Sequence, residues 1–247
     1  MTGSWVLIIF ILISSIPVIA VFLWFRTSKY QLSLVRFLSA LLTGAAALFP
    51  ALILQNLLIF PDFTKGRAAL MYEFFIRIAL TEELSRLLML FIFFLISGFI
   101  KPGEGLYQPL TFNIIKKGAA IGLAAGLGFS ILESARYAAQ NMDIYLLLLR
   151  FFTAALHGAC GARIGAAALL FRTNPFQAIL RIITATVIHG VYNLMLSIPG
   201  VTSLAAVIIA ISAFITAILT IRGGWSSGTQ ISAVLNSEDS ANNTALH

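Results

Sequence analysis

The stretch Ala79-Leu80-Thr81-Glu82-Glu83-Leu84-Ser85-Arg86-Leu87 places two adjacent carboxylates and an arginine inside a mainly apolar run over residues 74–100. A charged side chain at the centre of a bilayer costs about 3 kcal/mol even on lenient insertion scales. This chain carries three charges within five residues there. Other helices are therefore expected to supply groups that pair with this cluster.

Composition places the chain in a membrane. Of its 247 residues, 60% are hydrophobic and only 10% are charged, whereas a soluble domain has about 25% charged residues. The net charge of +7 does not indicate a nucleic-acid partner, because the sixteen Lys and Arg are scattered at helix ends and form no basic face. With Cys160 as its single cysteine, the chain forms no internal disulfide.

Seven apolar segments approach or exceed the length of about 20 residues that a spanning helix needs. They cover residues 5–25, 34–60, 69–99, 118–139, 144–171, 177–198 and 202–221. The sequence thus predicts an all-α polytopic membrane bundle of about seven transmembrane helices. We expect one transmembrane domain over residues 1–222, with a motif-bearing core at about 69–198. The polar Gly/Ser/Asn-rich tail, 223–247, is predicted to be disordered.

The distribution of Lys and Arg predicts an orientation. The first, third and fifth connections are richer in basic residues than the N-terminus and the sixth connection, and the seventh helix ends at Arg222. Basic residues in short loops favour the cytoplasmic side. We therefore expect a multi-pass protein of the cell membrane, with its N-terminus outside and its C-terminus in the cytoplasm.

Polar residues recur on three further segments. Glu133 lies on the fourth, His157 on the fifth, and His189 and Asn193 lie one turn apart on the sixth. Because lipid cannot satisfy such groups, they are expected to face the protein interior or a water-filled cavity. At about 1.5 Å rise per residue, all of them can meet the Glu82 cluster in the outer half of the bilayer.

Small residues indicate close helix packing on two of these segments. The fourth segment carries a stripe of Gly118, Gly122, Gly126 and Ser130, and on the fifth Gly161 and Gly165 continue the face of His157. Small residues at every fourth position let transmembrane backbones approach closely. Each stripe runs along its helix toward a polar residue, which is Glu133 on the fourth segment and His157 on the fifth.

The residues at depth restrict the chemistry. There is no HExxH zinc motif, and no serine motif accompanies a histidine partner. All three aspartates lie in predicted connections or in the tail, which excludes an aspartyl dyad at bilayer depth. They are Asp62, Asp143 and Asp239. A Cys160 thiol nucleophile beside His157 remains an alternative. Otherwise, a glutamate is left to activate water, with Arg86 keeping one carboxylate of the pair ionised and the second carboxylate shuttling a proton.

Four motifs carry a resemblance to a known family. Glu82-Glu83-Leu-Ser-Arg86 resembles the EExxK-type first motif of the PrsW family of glutamic-type intramembrane proteases, with Arg in place of Lys. Phe129-Ser-Ile-Leu-Glu133 is similar to its FxxxE motif. His157-Gly-Ala-Cys-Gly161 and His189-Gly-Val-Tyr-Asn193 resemble its two histidine motifs, although Gly161 stands where Thr is expected.

This resemblance implies site-1-type cleavage of a membrane-anchored regulator, such as an anti-sigma factor, with no cofactor and no metal. Glu82 and Glu83 would activate water with help from Glu133, and Arg86 would compensate their charge. The residues implied as catalytic are Glu82, Glu83, Glu133, His157, His189 and Asn193. The expected partners are a membrane-anchored protein substrate and the lipid bilayer.

Other functions stay open at this point. The first and last motifs also resemble the CAAX-prenyl endopeptidase and bacteriocin-processing superfamily, whose second motif is FxxxH rather than FxxxE. A non-proteolytic transporter or scaffold could use the same glutamates and histidines to bind a metal or relay protons. A purely structural role is a further alternative, with Arg86 simply neutralising a buried carboxylate.

Overall fold

The computed structural model describes residues 3–27, 32–58, 66–100, 112–140, 144–198 and 200–222. All regular secondary structure in these ranges is helical, which confirms the predicted all-α class. The predicted turns around Pro61, Pro102 and Asp143, and the predicted disordered tail 223–247, lie outside the described residues.

The described helices form seven rods, one for each predicted segment. They are α1 (Gly3–Thr27), α2 (Leu34–Ala46) continued by α3 (Leu48–Leu57), α4 (Arg67–Met71) continued by a π-helical segment (Tyr72–Leu80) and α5 (Thr81–Ile96), α6 (Phe112–Gln140), α7 (Ile144–Leu170), α8 (Pro175–Ser197) and α9 (Val201–Arg222).

Several rods have the length and composition of membrane spans. Among the described residues, four stretches qualify on these grounds: Leu34–Leu57, Ile114–Tyr137, Pro175–Ser197 and Val201–Arg222. The protein is a membrane helical bundle, as its composition predicted.

The centre of the bundle is the pair α6 and α7. Helix α6 is buried on every face over residues 118–130, with α1 and α2 against it, while α8 and α9 pack on α7. The glycine stripes make this approach possible. A Cβ at Gly122 would lie 2.1 Å from the carbonyl oxygen of Gly161, and one at Gly126 would lie 1.9 Å from that of His157. The two backbones are in direct contact, as the four-residue spacing predicted.

Proline and asparagine set two helix boundaries. The second rod is interrupted at Ala47, three residues before Pro50, because a proline ring lacks an N–H and clashes with the preceding turn. Helix α8 begins at Pro175, where the Asn174 side chain accepts a hydrogen bond from the Gln177 backbone N–H at 3.0 Å. Proline is well suited to the first helical position.

Candidate active site

Four rods bring the predicted polar residues into one cluster. Helix α5 contributes Glu82, Glu83 and Arg86 from its first two turns, and α6, α7 and α8 contribute one residue each, namely Glu133, His157 and His189. None of the six is more than 8% exposed. Charges buried this deeply must pair with one another.

The glutamate that Arg86 neutralises is Glu83. The Arg86 Nη1 lies 2.5 Å from Glu83 Oε2, and both side chains are fully buried. The other oxygen of the same carboxylate, Oε1, is 2.8 Å from His189 Nδ1. Because the ion-paired carboxylate accepts, Nδ1 carries the hydrogen. Glu83 thereby fixes the orientation and the tautomer of His189, and Nε2 faces away from it.

His157 bridges Arg86 and Glu133. Its Nδ1 lies 3.1 Å from Arg86 Nη2, and its Nε2 lies 2.9 Å from Glu133 Oε2. A guanidinium only donates, so Nδ1 accepts and the hydrogen of the neutral ring is on Nε2, which donates to Glu133. Both nitrogens of His157 are therefore engaged.

Glu82 has the least restrained carboxylate of the cluster. Its Oε1 accepts a hydrogen bond of 3.1 Å from Nε2 of Gln55, on α3. Its Oε2 is 3.7 Å from His189 Nε2 and has no hydrogen-bond partner among the described residues. One buried carboxylate oxygen and one imidazole nitrogen thus face each other without a bond between them.

Aromatic rings enclose the cluster. The Phe129 ring lies 5.1 Å from the His157 ring, and the Arg86 guanidinium sits 4.6 Å from the Phe129 centroid. The rings of His157 and His189 meet edge to face at 4.9 Å. These contacts strengthen the electrostatic interactions of the site, because they keep it in a low-dielectric surrounding.

A π-helix leads into the first turn of α5, which carries Glu82 and Glu83. The segment Tyr72–Leu80 ends one residue before Thr81 and packs on α8. Its Phe75 ring fills the space beside Gly190, where a Cβ would come within 2.5 Å of that ring. The glycine after His189 is therefore needed for π-helix packing. π-Helical turns are frequent at functional sites.

Most of the predicted site residues converge, and Asn193 is the exception. It lies one turn beyond His189 and is half-buried, and within the described residues it makes no hydrogen bond to the cluster. The Cys160 thiol points to the Ala185 carbonyl oxygen at 3.5 Å. Gln55 was missed by sequence reasoning, although a lone glutamine in an apolar segment is itself a signal.

The family assignment rests on a direct match. The model of the family described as "PrsW family intramembrane metalloprotease" matches residues 33–220, well over half of the chain. The chain belongs to the PrsW family. As a PrsW-family protein it is a membrane-embedded peptidase whose substrate meets it in the bilayer. No curated protein and no solved structure matches the chain.

The family description names a metalloprotease and therefore implies a bound metal. Whether this PrsW-family site can hold one depends on the donor atoms that its side chains leave available. Donor atoms of Glu82, His157 and His189 lie within 4.8 Å of one another. Glu82 Oε2 and His189 Nε2 are unengaged, but the Arg86 guanidinium lies against His157 Nδ1 and Glu133 holds Nε2. Catalytic zinc sites need three protein ligands. This arrangement leaves two donors available and sets a cation against the third, so the residues do not fit a metal as they are placed.

Proposed function

We propose that this protein is a glutamic-type intramembrane endopeptidase in which Glu82 activates the attacking water. The observation that carries the proposal is the pair Glu82 Oε2 and His189 Nε2, 3.7 Å apart in two buried side chains. Among the described residues Glu82 Oε2 has no hydrogen-bond partner, and His189 forms its hydrogen bond there through Nδ1, which leaves Nε2 as an acceptor. A water held there donates one hydrogen to each acceptor. Both lone pairs of its oxygen then stay free, and one of them can attack a scissile carbonyl carbon.

The roles of the two adjacent glutamates differ in this proposal. Glu83 is committed to Arg86 and His189, so it orients the imidazole and carries a permanent charge. Within the part of the chain that the structure describes, Glu82 is bound through Oε1 alone, to Gln55, and keeps Oε2 for the proton of the water. Glu82 then returns that proton to the leaving amide nitrogen, as a general base that becomes a general acid.

The remaining site residues position these two groups. Glu133 holds His157 through Nε2, and His157 in turn accepts from Arg86, which fixes the guanidinium against Glu83. Asn193, one turn from His189, supplies an amide that donates to the developing oxyanion once a substrate is bound. Preorganised donors of this kind contribute to catalysis because they need not reorganise during the reaction.

We infer a substrate and a location that agree with these roles. The substrate is a membrane-anchored regulatory protein of the anti-sigma-factor type, cleaved near the outer face of the cell membrane in a site-1 reaction. The basic connections support an N-terminus outside and a cytoplasmic C-terminus. The family match to PrsW favours this peptidase over the CAAX-type and transporter alternatives.

The test of this function is quantitative membrane proteomics of cells carrying Glu82→Gln in place of the wild-type chain. Glutamine keeps the size and the bond to Gln55 but cannot take the proton, so an uncleaved membrane protein should accumulate. The matched control is Glu73→Gln on the same rod. It removes a half-buried partner of Arg77, whose Nε donates to the Gln55 backbone carbonyl oxygen, and it leaves the bond from Gln55 Nε2 to Glu82 in place. If no membrane protein accumulates in Glu82→Gln cells relative to Glu73→Gln cells, the peptidase assignment of this glutamate fails.

A further inference from the structure

A second polar site lies away from the peptidase cluster, in a cavity of about 540 Å³ between α7, α8 and α9. Its lining includes two arginines, Arg163 on α7 and Arg181 on α8, together with Gln177 and Thr184. No aspartate or glutamate is among the described residues that line it. As far as the described lining goes, the cavity therefore holds two guanidinium groups and no carboxylate.

Arg163 is only partly used by its neighbours. Its Nη1 donates to the carbonyl oxygens of Ala159 at 2.9 Å and Ala213 at 3.4 Å, and its Nη2 donates to Thr216 Oγ1 at 2.8 Å. A guanidinium carries five N–H groups. Three are bound to the protein, so two remain for a ligand in the cavity.

Arg181 is not paired with any described residue. It forms neither a hydrogen bond nor an ion pair there, in contrast to Arg86 and Arg77, each of which meets a glutamate. A partly buried guanidinium in a helical membrane protein needs an acceptor, since lipid chains offer none. A ligand that engages both guanidinium groups of this cavity would supply negative charge and several acceptor oxygens.

We propose that this cavity binds a phosphate group, supplied by the headgroup of an anionic phospholipid. Arg181 lies about 9 Å along α8 from Pro175, at about 1.5 Å per residue, and so sits just below one end of the bundle. The walls beside the arginines include the apolar Leu180, which is exposed, and Ala217. An anionic phospholipid matches this lining, because its phosphodiester can bind the arginines while its acyl chain lies along the apolar wall. By the predicted orientation, this end of the bundle faces the cytoplasmic leaflet, where anionic lipids attract basic groups.

This site goes beyond the proposed peptidase function and is tested without it. Purified full-length protein in detergent is titrated with phosphatidylglycerol, phosphatidylcholine or inorganic phosphate, and native mass spectrometry counts the bound molecules. Wild-type protein should retain one phosphatidylglycerol in preference to phosphatidylcholine. Arg181→Gln should weaken that binding about tenfold, the loss expected for one charge-assisted contact, and Arg181→Lys should weaken it less.

The matched control is Lys117→Gln, which removes an exposed positive charge from the start of α6, outside the cavity lining. It should leave phosphatidylglycerol binding unchanged, and the melting temperature of each variant verifies that it is folded. Equal binding of phosphatidylcholine, an unchanged Arg181→Gln affinity, or an equal loss in Lys117→Gln would overturn the site. Arg181-dependent binding of inorganic phosphate without phosphatidylglycerol would overturn the lipid source and assign a soluble phosphate instead.

Discussion

Replacing Arg86 by methionine should destabilise the protein severely, because Glu83 would keep its charge with no cation beside it. The pair is fully buried and joined at 2.5 Å. Breaking a buried pair by removing one partner costs about 3–5 kcal/mol. A loss of 1 kcal/mol lowers the melting temperature of a chain of this size by about 2–4 °C, so Arg86→Met should melt about 6–20 °C below wild type.

The assay is thermal melting of the detergent-solubilised protein, followed by fluorescence-detected size exclusion. The control is Arg77→Met, which breaks an i,i+4 pair with Glu73 whose side chains are 33% and 26% exposed, and also a 3.0 Å hydrogen bond from Arg77 Nε to the Gln55 carbonyl oxygen. Such a pair contributes about 0–1 kcal/mol and such a hydrogen bond about 1 kcal/mol, so this variant should melt only a few degrees below wild type. Adding Glu83→Gln to Arg86→Met should recover more than half of the loss. If Arg86→Met melts no lower than Arg77→Met, the cluster is not held by this pair.

Three further outcomes follow from the packing and the site. Gly126→Ala should lower the melting temperature far more than Gly158→Ala, because its Cβ would lie 1.9 Å from the His157 carbonyl oxygen, whereas the Cβ of the control meets only side-chain atoms at 3.3 Å or more. Gln55→Leu should slow substrate cleavage in cells and lower the melting temperature by only a few degrees, since it removes the single hydrogen bond to Glu82 Oε1; an unchanged cleavage rate would show that Gln55 has no role in the site. A chelator should leave cleavage intact, and loss of activity restored by zinc would refute the glutamate mechanism.

The sequence was sufficient for the class of fold and for most of the residues that meet in the buried polar cluster, although it missed Gln55 and included Asn193. Burying three charges in an apolar segment costs free energy unless other side chains pair with them. Glu133, His157 and His189 are polar groups at compatible depths. The glycine stripes predicted that the backbones of these two helices approach neighbouring helices closely, and the structure shows that α6 and α7 approach each other.

Other features depend on three-dimensional geometry that a residue pattern does not encode. Arg86 can reach either carboxylate by helical spacing, and only the position of His189 decides that Glu83 is the one engaged. The π-helical segment Tyr72–Leu80 has the same apolar character as an α-helix and differs in its hydrogen-bond register. The split roles of Glu82 and Glu83 follow from these contacts.

The most direct test of the account is the cleavage rate of the accumulated membrane substrate, reconstituted in proteoliposomes with purified Glu82→Gln protein. Loss of a general base lowers the rate about 100- to 10,000-fold, so Glu82→Gln should be nearly inactive while its melting temperature and the activity of Glu73→Gln stay close to wild type. Cleavage by Glu82→Gln at the wild-type rate would contradict the claim that this glutamate activates the water.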